Sequence, residues 1–259
     1  KLVALLAVSA LLASCSESEL WQNPQTEARD GYIMLNFKTE IPAMQEVVTR
    51  AVDPDGGGVQ DMTLFCFDSY GLFISTVKAG VTVQKPGPGE MEGTFKAEVP
   101  ENTRTIHFLA NQNMDEFKED SFRNKSESEV MAVLEGSSGR MIYWGRFACD
   151  AGNDSNIAEQ MATSGNSVKL IRNHARISVD NPDNNGHIVI TGFAVCNTNA
   201  FGTVAPHHPK KGFDFTWPSS DDPFVTLPVN DAKMSDITDV TSSMNQYVFE
   251  CENSADAPV

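Results

Sequence analysis

Basic residues are scarce in this chain of 259 residues. Lys and Arg together number 19 against 35 Asp and Glu residues, which gives a formal net charge of -16. Nucleic acid phosphates and anionic lipid surfaces repel a protein with this charge, because binding to either needs clustered cations. The composition therefore excludes nucleic acid as a partner and favours a protein that stays soluble outside the cell.

Cysteines are also few, and none forms a C-x-x-C pair, so the spacing gives no support for zinc ligation. Cys66 and Cys196 lie in apolar runs, where a thiol behaves as a small core side chain. We expect buried free thiols; disulfides are allowed in an exported chain, and one or two bridges are the alternative. The five positions are Cys15, Cys66, Cys149, Cys196 and Cys251.

Motifs of an enzyme or a metal site are missing too. Ser75 and Lys78 fit S-x-x-K, but no S-D-N or K-T-G follows, and a predicted strand makes them surface residues. His207 and His208 are flanked by prolines, with no third metal ligand indicated. The triplet 56–58 is all glycine but lacks the Lys-Ser/Thr of a phosphate loop. We therefore expect no catalysis, no cofactor and no metal.

A long apolar run is absent, but a short one opens the chain. The 13 residues from Leu2 to Ser14 are uncharged and follow Lys1, whereas a membrane-spanning helix needs roughly 20 apolar residues. A positive flank, a short apolar core and small residues before a cleavage point are typical of a secretory signal. Cys15 directly after it matches a bacterial lipobox. We expect a lipidated Cys15, with a plain secretory signal as the alternative.

Alternation of apolar and polar residues is the main pattern beyond the signal. Ile33, Leu35 and Phe37 recur at every second position, which predicts a strand with one buried face. The continuous apolar run at 64–67, a turn at 68–71 and a second apolar stretch predict a hairpin with a fully covered central strand.

Helical signals are nearly absent. Ser126 and Glu129 form a capping box ahead of an apolar stripe, and Gly136 lies beyond it, so one short helix is predicted there. Short strands with turns between them fill the remainder. The predicted fold is all-β, with two antiparallel β-sandwich domains and one short helix in the first.

The domain organisation can be inferred from these patterns. Residues 1–14 are the predicted signal peptide, 15–50 a leader segment with the first strand, 51–160 the N-terminal sandwich and 161–259 the C-terminal sandwich. A Gly-, Ser- and Asn-rich stretch marks the boundary between the sandwiches. A sandwich of about 100 residues has little room to finish after 161, so we expect the second domain to be incomplete or C-terminally truncated.

Several of these stretches, in this order and spacing, resemble the fimbrillin family of Bacteroidetes, the lipoprotein pilin subunits of type V pili. The similar features are the lipobox at Cys15, the leader strand before Thr49-Arg50-Ala51, the strand pair from Met62 to Ile74, Ile106 to Gln112, Leu170 to Ile177, and Tyr247 to Glu250.

The resemblance implies two transthyretin-like sandwiches without catalysis, in a subunit of a cell-surface fimbrium used for adhesion. It implies export as a lipoprotein, with a palmitate-type lipid on Cys15 holding the chain in the outer membrane. A trypsin-like surface protease would then cut between Arg50 and Ala51. Removal of the leader strand would open a groove that a strand from another fimbrial subunit fills, and a host or bacterial receptor is a further partner. The leader residues assigned to this groove are Ile33, Leu35 and Phe37.

Two alternatives stay open. An anchor subunit of the pilus would keep its lipid and escape cleavage at Arg50. A surface glycan-binding lipoprotein would instead use exposed aromatic side chains such as Trp144 and Trp217 to stack on sugars. Polymers formed only after cleavage would favour the pilin, and glycan retention would favour the binding lipoprotein.

Overall fold

The computed structural model describes residues 28–41, 58–82, 92–115, 117–137, 141–179, 190–199, 201–207, 223–229, 238–239 and 245–252. Within these ranges the chain is all-β, as predicted, with multiple sheets and few helices. The transthyretin-like assignment stays a prediction. No helix in the described ranges has the length and apolar character needed to cross a membrane.

The strands are short and succeed one another closely along the chain. They are β1 (Tyr32–Glu40), β2 (Met62–Phe67), β3 (Phe73–Lys78), β4 (Gly80–Val81), β5 (Glu92–Pro100), β6 (Thr105–Ala110), β7 (Glu135–Ser137), β8 (Tyr143–Ala148), β9 (Ser167–Lys169), β10 (Ile171–Arg172), β11 (His174–Ser178), β12 (Gly192–Phe193), β13 (Phe201–Thr203), β14 (Thr238–Asp239) and β15 (Asn245–Phe249).

Two sheets build the main body. One has five strands in the order β10-β8-β6-β2-β3, and the other has four in the order β4-β5-β1-β9. Every residue of β2 and of β6 is buried, because these central strands are covered on both faces. The predicted hairpin is confirmed as the antiparallel pair β2–β3. The four-stranded sheet is mixed, since β9 runs parallel to β1.

Apolar side chains form two buried layers. The inter-sheet layer lies between the two sheets and is closed by α2 (Ile157–Thr163). The outer layer lies on the other face of the five-stranded sheet, beneath α1 (Glu127–Ala132), a 3-10 helix (Glu119–Phe122) and buried residues at 204–205 and 225. Both faces of the five-stranded sheet are therefore covered.

One of the two α-helices in the described ranges was predicted from the sequence and the other was not. The capping box at Ser126 and Glu129 is present, and α1 begins after it as predicted. It ends at Ala132, and Gly136 lies instead in β7, paired with β13. Helix α2 was not predicted, although Asn156 and Glu159 form a second capping box at its start.

The second half contributes paired strands. β11 pairs with β15, β12 with β14 and β13 with β7, all antiparallel. The short strands expected in this half include those that contain Ile177, Phe193 and Tyr247. β9 and β10, which lie beyond the predicted boundary at residue 160, hydrogen bond to β1 and β8. The domain limits themselves stay predictions.

Candidate functional site

The candidate site is the place that β1 occupies in the four-stranded sheet. β1 pairs antiparallel with β5 over nine residues, from Tyr32 opposite Pro100 to Glu40 opposite Glu92. Its last three residues also pair parallel with β9. The C-terminal end of β1 therefore has a neighbouring strand on each side.

The inward side chains of β1 fill the inter-sheet layer. Ile33 is 4% exposed, Leu35 1% and Phe37 0%, so the predicted buried face is confirmed. The ring of Phe37 stacks at 5.7 Å on Phe95 of β5 and meets Phe108 of β6 edge-on at 5.0 Å. Burial of such a side chain contributes about 1.5–3 kcal/mol, so the three together contribute about 5–9 kcal/mol.

The N-terminal end of β1 is held more loosely. Arg29 Nε donates to Glu98 Oε2 at 2.7 Å, and the Arg29 side chain is 66% exposed. Its guanidinium also lies 4.3 Å from the centre of the Tyr32 ring. Exposed ion pairs of this kind contribute at most about 1 kcal/mol. Apolar burial, rather than polar contacts at this end, keeps β1 in place.

The chain re-enters the described structure at Gly58, where Asn111 clamps it. Asn111 Nδ2 donates to the carbonyl oxygens of Gly58 at 2.8 Å and Met141 at 3.0 Å. The amide of Gln60 donates to Asn111 Oδ1 at 2.7 Å. Asn111 itself has a φ of 65°, a left-handed conformation that Asn tolerates better than most residues. The start of β2 is thus fixed independently of residues 42–57.

The predicted processing and lipidation residues lie outside the described residues: Cys15, Arg50 and Ala51. Arg50 belongs to the segment that joins β1 to Gly58. The other four cysteines are free thiols, as expected. Cys66 is fully buried, and burial raises its pKa to about 12. The expectation of burial is wrong for Cys196, which is exposed, and Cys149 and Cys251 are only partly buried.

A second polar cluster lies in the outer layer. Trp144 Nε1 donates to His107 Nδ1 at 3.1 Å, so the ring proton of a neutral His107 sits on Nε2, 2.7 Å from Glu127 Oε2. Arg146 donates to both carboxylate oxygens of Glu127, at 2.6 and 3.1 Å. The cluster joins β6 and β8 to the first residue of α1.

Burial sets the titration of this cluster. Burial lowers the pKa of His107, and Glu127 only partly offsets the shift. Burial would raise the pKa of Glu127, but hydrogen bonds from His107 and Arg146 outweigh it and lower the value to about 2. Rings of Phe67 and Phe224 lie 5.3 and 5.7 Å from His107. With both ring nitrogens bonded and apolar rings around it, His107 positions α1.

The remaining sequence candidates do not converge. Trp144 is fully buried, so it is not the exposed aromatic surface that a glycan platform needs. Ser75 and Lys78 lie on β3 as predicted. Trp217 and His208 lie outside the described residues. In the described ranges no group of three His, Cys, Asp or Glu side chains is placed to hold a metal ion.

Three solved structures are similar in shape to this chain. A protein of Parabacteroides distasonis provisionally assigned to cell adhesion has a TM-score of 0.49 and 13% identity, over 86% of this chain and 72% of that one. A protein of Bacteroides eggerthii with the same assignment has a TM-score of 0.44 and 13% identity, over 90% and 73%. A fimbrial assembly protein of P. distasonis has a TM-score of 0.38 and 12% identity, over 85% and 78%.

These likenesses carry no conclusion about function, because the TM-scores lie below 0.5 and the identities are low. No protein-family model matches the chain, and no curated protein matches it. The functional conclusion therefore has to rest on β1 and its surroundings.

Proposed function

We propose that this chain is a structural or accessory subunit of a cell-surface fimbrium, assembled by strand exchange. The observation that carries the proposal is β1, a strand with a largely apolar inward face that is joined to the rest of the fold through residues 42–57. A cut after Arg50 would leave β1 held by non-covalent contacts alone. A neighbouring subunit then supplies a strand to the vacated groove.

The physics of the groove supports this proposal. Loss of β1 removes the partner of β5 along nine residues and that of β9 along three. It also uncovers Phe95 and Phe108, which contact Phe37. Unpaired backbone groups beside an apolar cleft template the addition of another strand. An extended segment with alternating apolar side chains satisfies both needs at once.

The far side of the proposed cut is also suited to cleavage. Asn111 binds Gly58 and Gln60 directly, and Val59 between them is fully buried. After the cut the chain would begin at Ala51. The bonds from Asn111 would still hold Gly58 and Gln60 in place, so β2 would stay paired in its sheet. Removal of the leader changes the groove while the five-stranded sheet persists.

Export and anchoring complete the proposal. The chain is exported as a lipoprotein with lipid on Cys15, reaches the outer membrane surface, and is cut there by a trypsin-like protease. Other fimbrial subunits are its principal partners, and adhesion is its role. The burial of Trp144 removes one of the two tryptophans on which a glycan-binding lipoprotein would depend.

The test is intact-mass analysis and N-terminal sequencing of protein recovered from the outer membrane, before and after mild trypsin, with an unheated gel for polymer. We expect a stable product beginning at Ala51 that assembles. An Arg50→Ala variant should stay uncut and monomeric under the same conditions. A lipidated wild-type chain that begins at Cys15, resists cutting and stays monomeric would contradict the proposal and favour a pilus anchor subunit.

A further inference from the structure

One inward position of β1 is a poor match for its surroundings. Thr39 shares the inward face with Phe37 and Ile41, and its exposure is 0%. Within the described part of the chain its hydroxyl oxygen has no hydrogen-bond partner. The residues opposite it are Gly93 of β5 and Val168 of β9. Gly93 has no side chain, and the side chain of Val168 can neither donate nor accept a hydrogen bond.

This defect lies where the strand is most enclosed. Residues 38–40 are flanked by both β5 and β9. On the β9 side the amide of Lys38 donates to the Asn166 carbonyl at 2.6 Å, and that of Leu170 donates to the Glu40 carbonyl at 2.7 Å. At 0% exposure the hydroxyl is out of reach of bulk water. A buried polar group without a partner destabilises the structure that contains it.

A strand with Val or Ile at this position would fit better. Either side chain keeps the branched shape that suits a strand and removes the unpaired oxygen. Phe37 behaves differently, since the rings of Phe95 and Phe108 surround it with matched aromatic contacts. The groove therefore favours an aromatic side chain at the position of Phe37 and an aliphatic one at the position of Thr39.

We infer that the strand which replaces β1 carries an aliphatic side chain where the leader carries Thr39, and that this difference favours replacement. The inference rests on the proposed function, because it describes the occupant of the same groove. The partner is an extended segment of another subunit, with apolar side chains at alternate positions. Thr39 makes the leader a weaker occupant than the strand that replaces it.

The first test uses the uncleaved full chain. Thr39→Val should raise the melting temperature by about 3 °C or more, as expected for removal of an unpaired buried group in a chain of this size. Thr105→Val is the matched control. Thr105 of β6 is also buried, but its hydroxyl oxygen is not a fully enclosed atom without a hydrogen-bond partner. An unchanged or lower melting temperature for Thr39→Val would overturn the inference.

The second test measures peptides spanning residues 31–41 on the chain cut after Arg50 and freed of its leader. The Thr39→Val peptide should bind about tenfold more tightly than the native peptide. This factor corresponds to the usual free-energy cost of burying a hydroxyl without a hydrogen-bond partner. A Phe37→Ala peptide should bind at least about 100-fold more weakly. Equal binding of the native and Thr39→Val peptides overturns this inference and leaves the proposed function intact. Failure of every peptide to bind overturns both.

Discussion

The two buried layers of this protein are built on opposite principles. The inter-sheet layer is filled by apolar side chains and receives three of them from β1. The outer layer contains the charged Glu127 and Arg146 beside His107, joined by directional hydrogen bonds. Apolar contact is non-directional, so it suits the proposed replacement of β1 by another strand with similar side chains. Charged bonds specify one arrangement, which suits a part of the molecule that stays assembled.

This contrast bears on whether one fold could be both open to the proposed exchange and stable. If β1 left, the inter-sheet layer would lose side chains, yet the second face of the five-stranded sheet would stay covered by α1 and the 3-10 helix. On the proposed function, the outer layer would then hold the shape of the groove while its occupant changes. Perturbing each layer separately tests whether the two are held together as differently as the contacts indicate.

Truncation of the central leader side chain should have the largest effect. Phe37→Ala removes a fully buried ring that contacts Phe95 and Phe108, so we expect a loss of about 4 kcal/mol in the free energy of unfolding. Urea denaturation of the uncleaved chain measures it. Lys38→Ala, at an exposed position on the same strand, should change stability by less than about 0.5 kcal/mol. Equal effects of the two variants would mean that β1 is not a core strand.

The outer layer should respond to the loss of its carboxylate. Glu127→Gln removes the carboxylate that accepts from the Arg146 side chain, which is 5% exposed, and we expect a loss of about 3 kcal/mol in the free energy of unfolding. Asp120→Asn disrupts a solvent-exposed pair with Arg123 and should change stability by less than about 0.5 kcal/mol. The comparison uses urea denaturation at neutral pH. A Glu127→Gln chain as stable as wild type would show that the cluster does not fix α1.

Acid should destabilise the protein through three groups. Burial lowers the pKa of His107 below its ordinary value of 6.5, and that of His174 to about 4. The stability that the two neutral histidines contribute is complete above about pH 6.5. It is lost as the pH falls, because the histidines of the unfolded chain bind protons at a higher pH than those of the folded chain. Glu127, with a pKa lowered from 4.5 to about 2, adds a further loss below about pH 4.5.

Urea denaturation between about pH 7 and pH 3 tests this acid dependence. The free energy of unfolding should decrease throughout the descent, and Glu127→Gln should reduce the decrease below about pH 4.5 without abolishing it, because His107 and His174 still contribute. Stability that rises as the pH falls through 6.5 would contradict the assignment of neutral, buried histidines.

Loss of the Asn111 side chain should lower the free energy of unfolding by about 2 kcal/mol. Asn111→Ala removes the side-chain bonds to Gly58, Gln60 and Met141, whose neutral groups contribute about 1 kcal/mol each with partial compensation by water. Asn124→Ala is the matched control, because Asn124 has a similar φ of 61° in an exposed turn. Limited proteolysis should then extend beyond Gly58 in Asn111→Ala and not in the control. Identical cleavage patterns would contradict the clamp.

Much of the groove could be predicted from the sequence, because strand alternation depends on local pattern alone. The spacing of Ile33, Leu35 and Phe37 specified the buried face of β1, and the capping box at Ser126 located α1. These signals need no knowledge of the partners in space.

Other features depend on distant contacts and could not be predicted. Thr39 looks like an ordinary strand residue until its full burial and its pairing with Val168 of β9 are known. His107 and Arg146 lie 20 and 19 residues from Glu127 along the chain, so nothing in the sequence pairs them. Helix α2 is an exception: the capping box at Asn156 was available as a local signal and was missed.

The central claim is that β1 can leave its groove and be replaced. Amide hydrogen exchange of β5 tests it most directly, since β5 pairs with β1 along its full length. The β5 amides should exchange slowly in the uncleaved chain, fast after cleavage and release of the leader, and slowly again in the assembled polymer. Protection of β5 that is unchanged by loss of the leader, or that does not return on assembly, would contradict it.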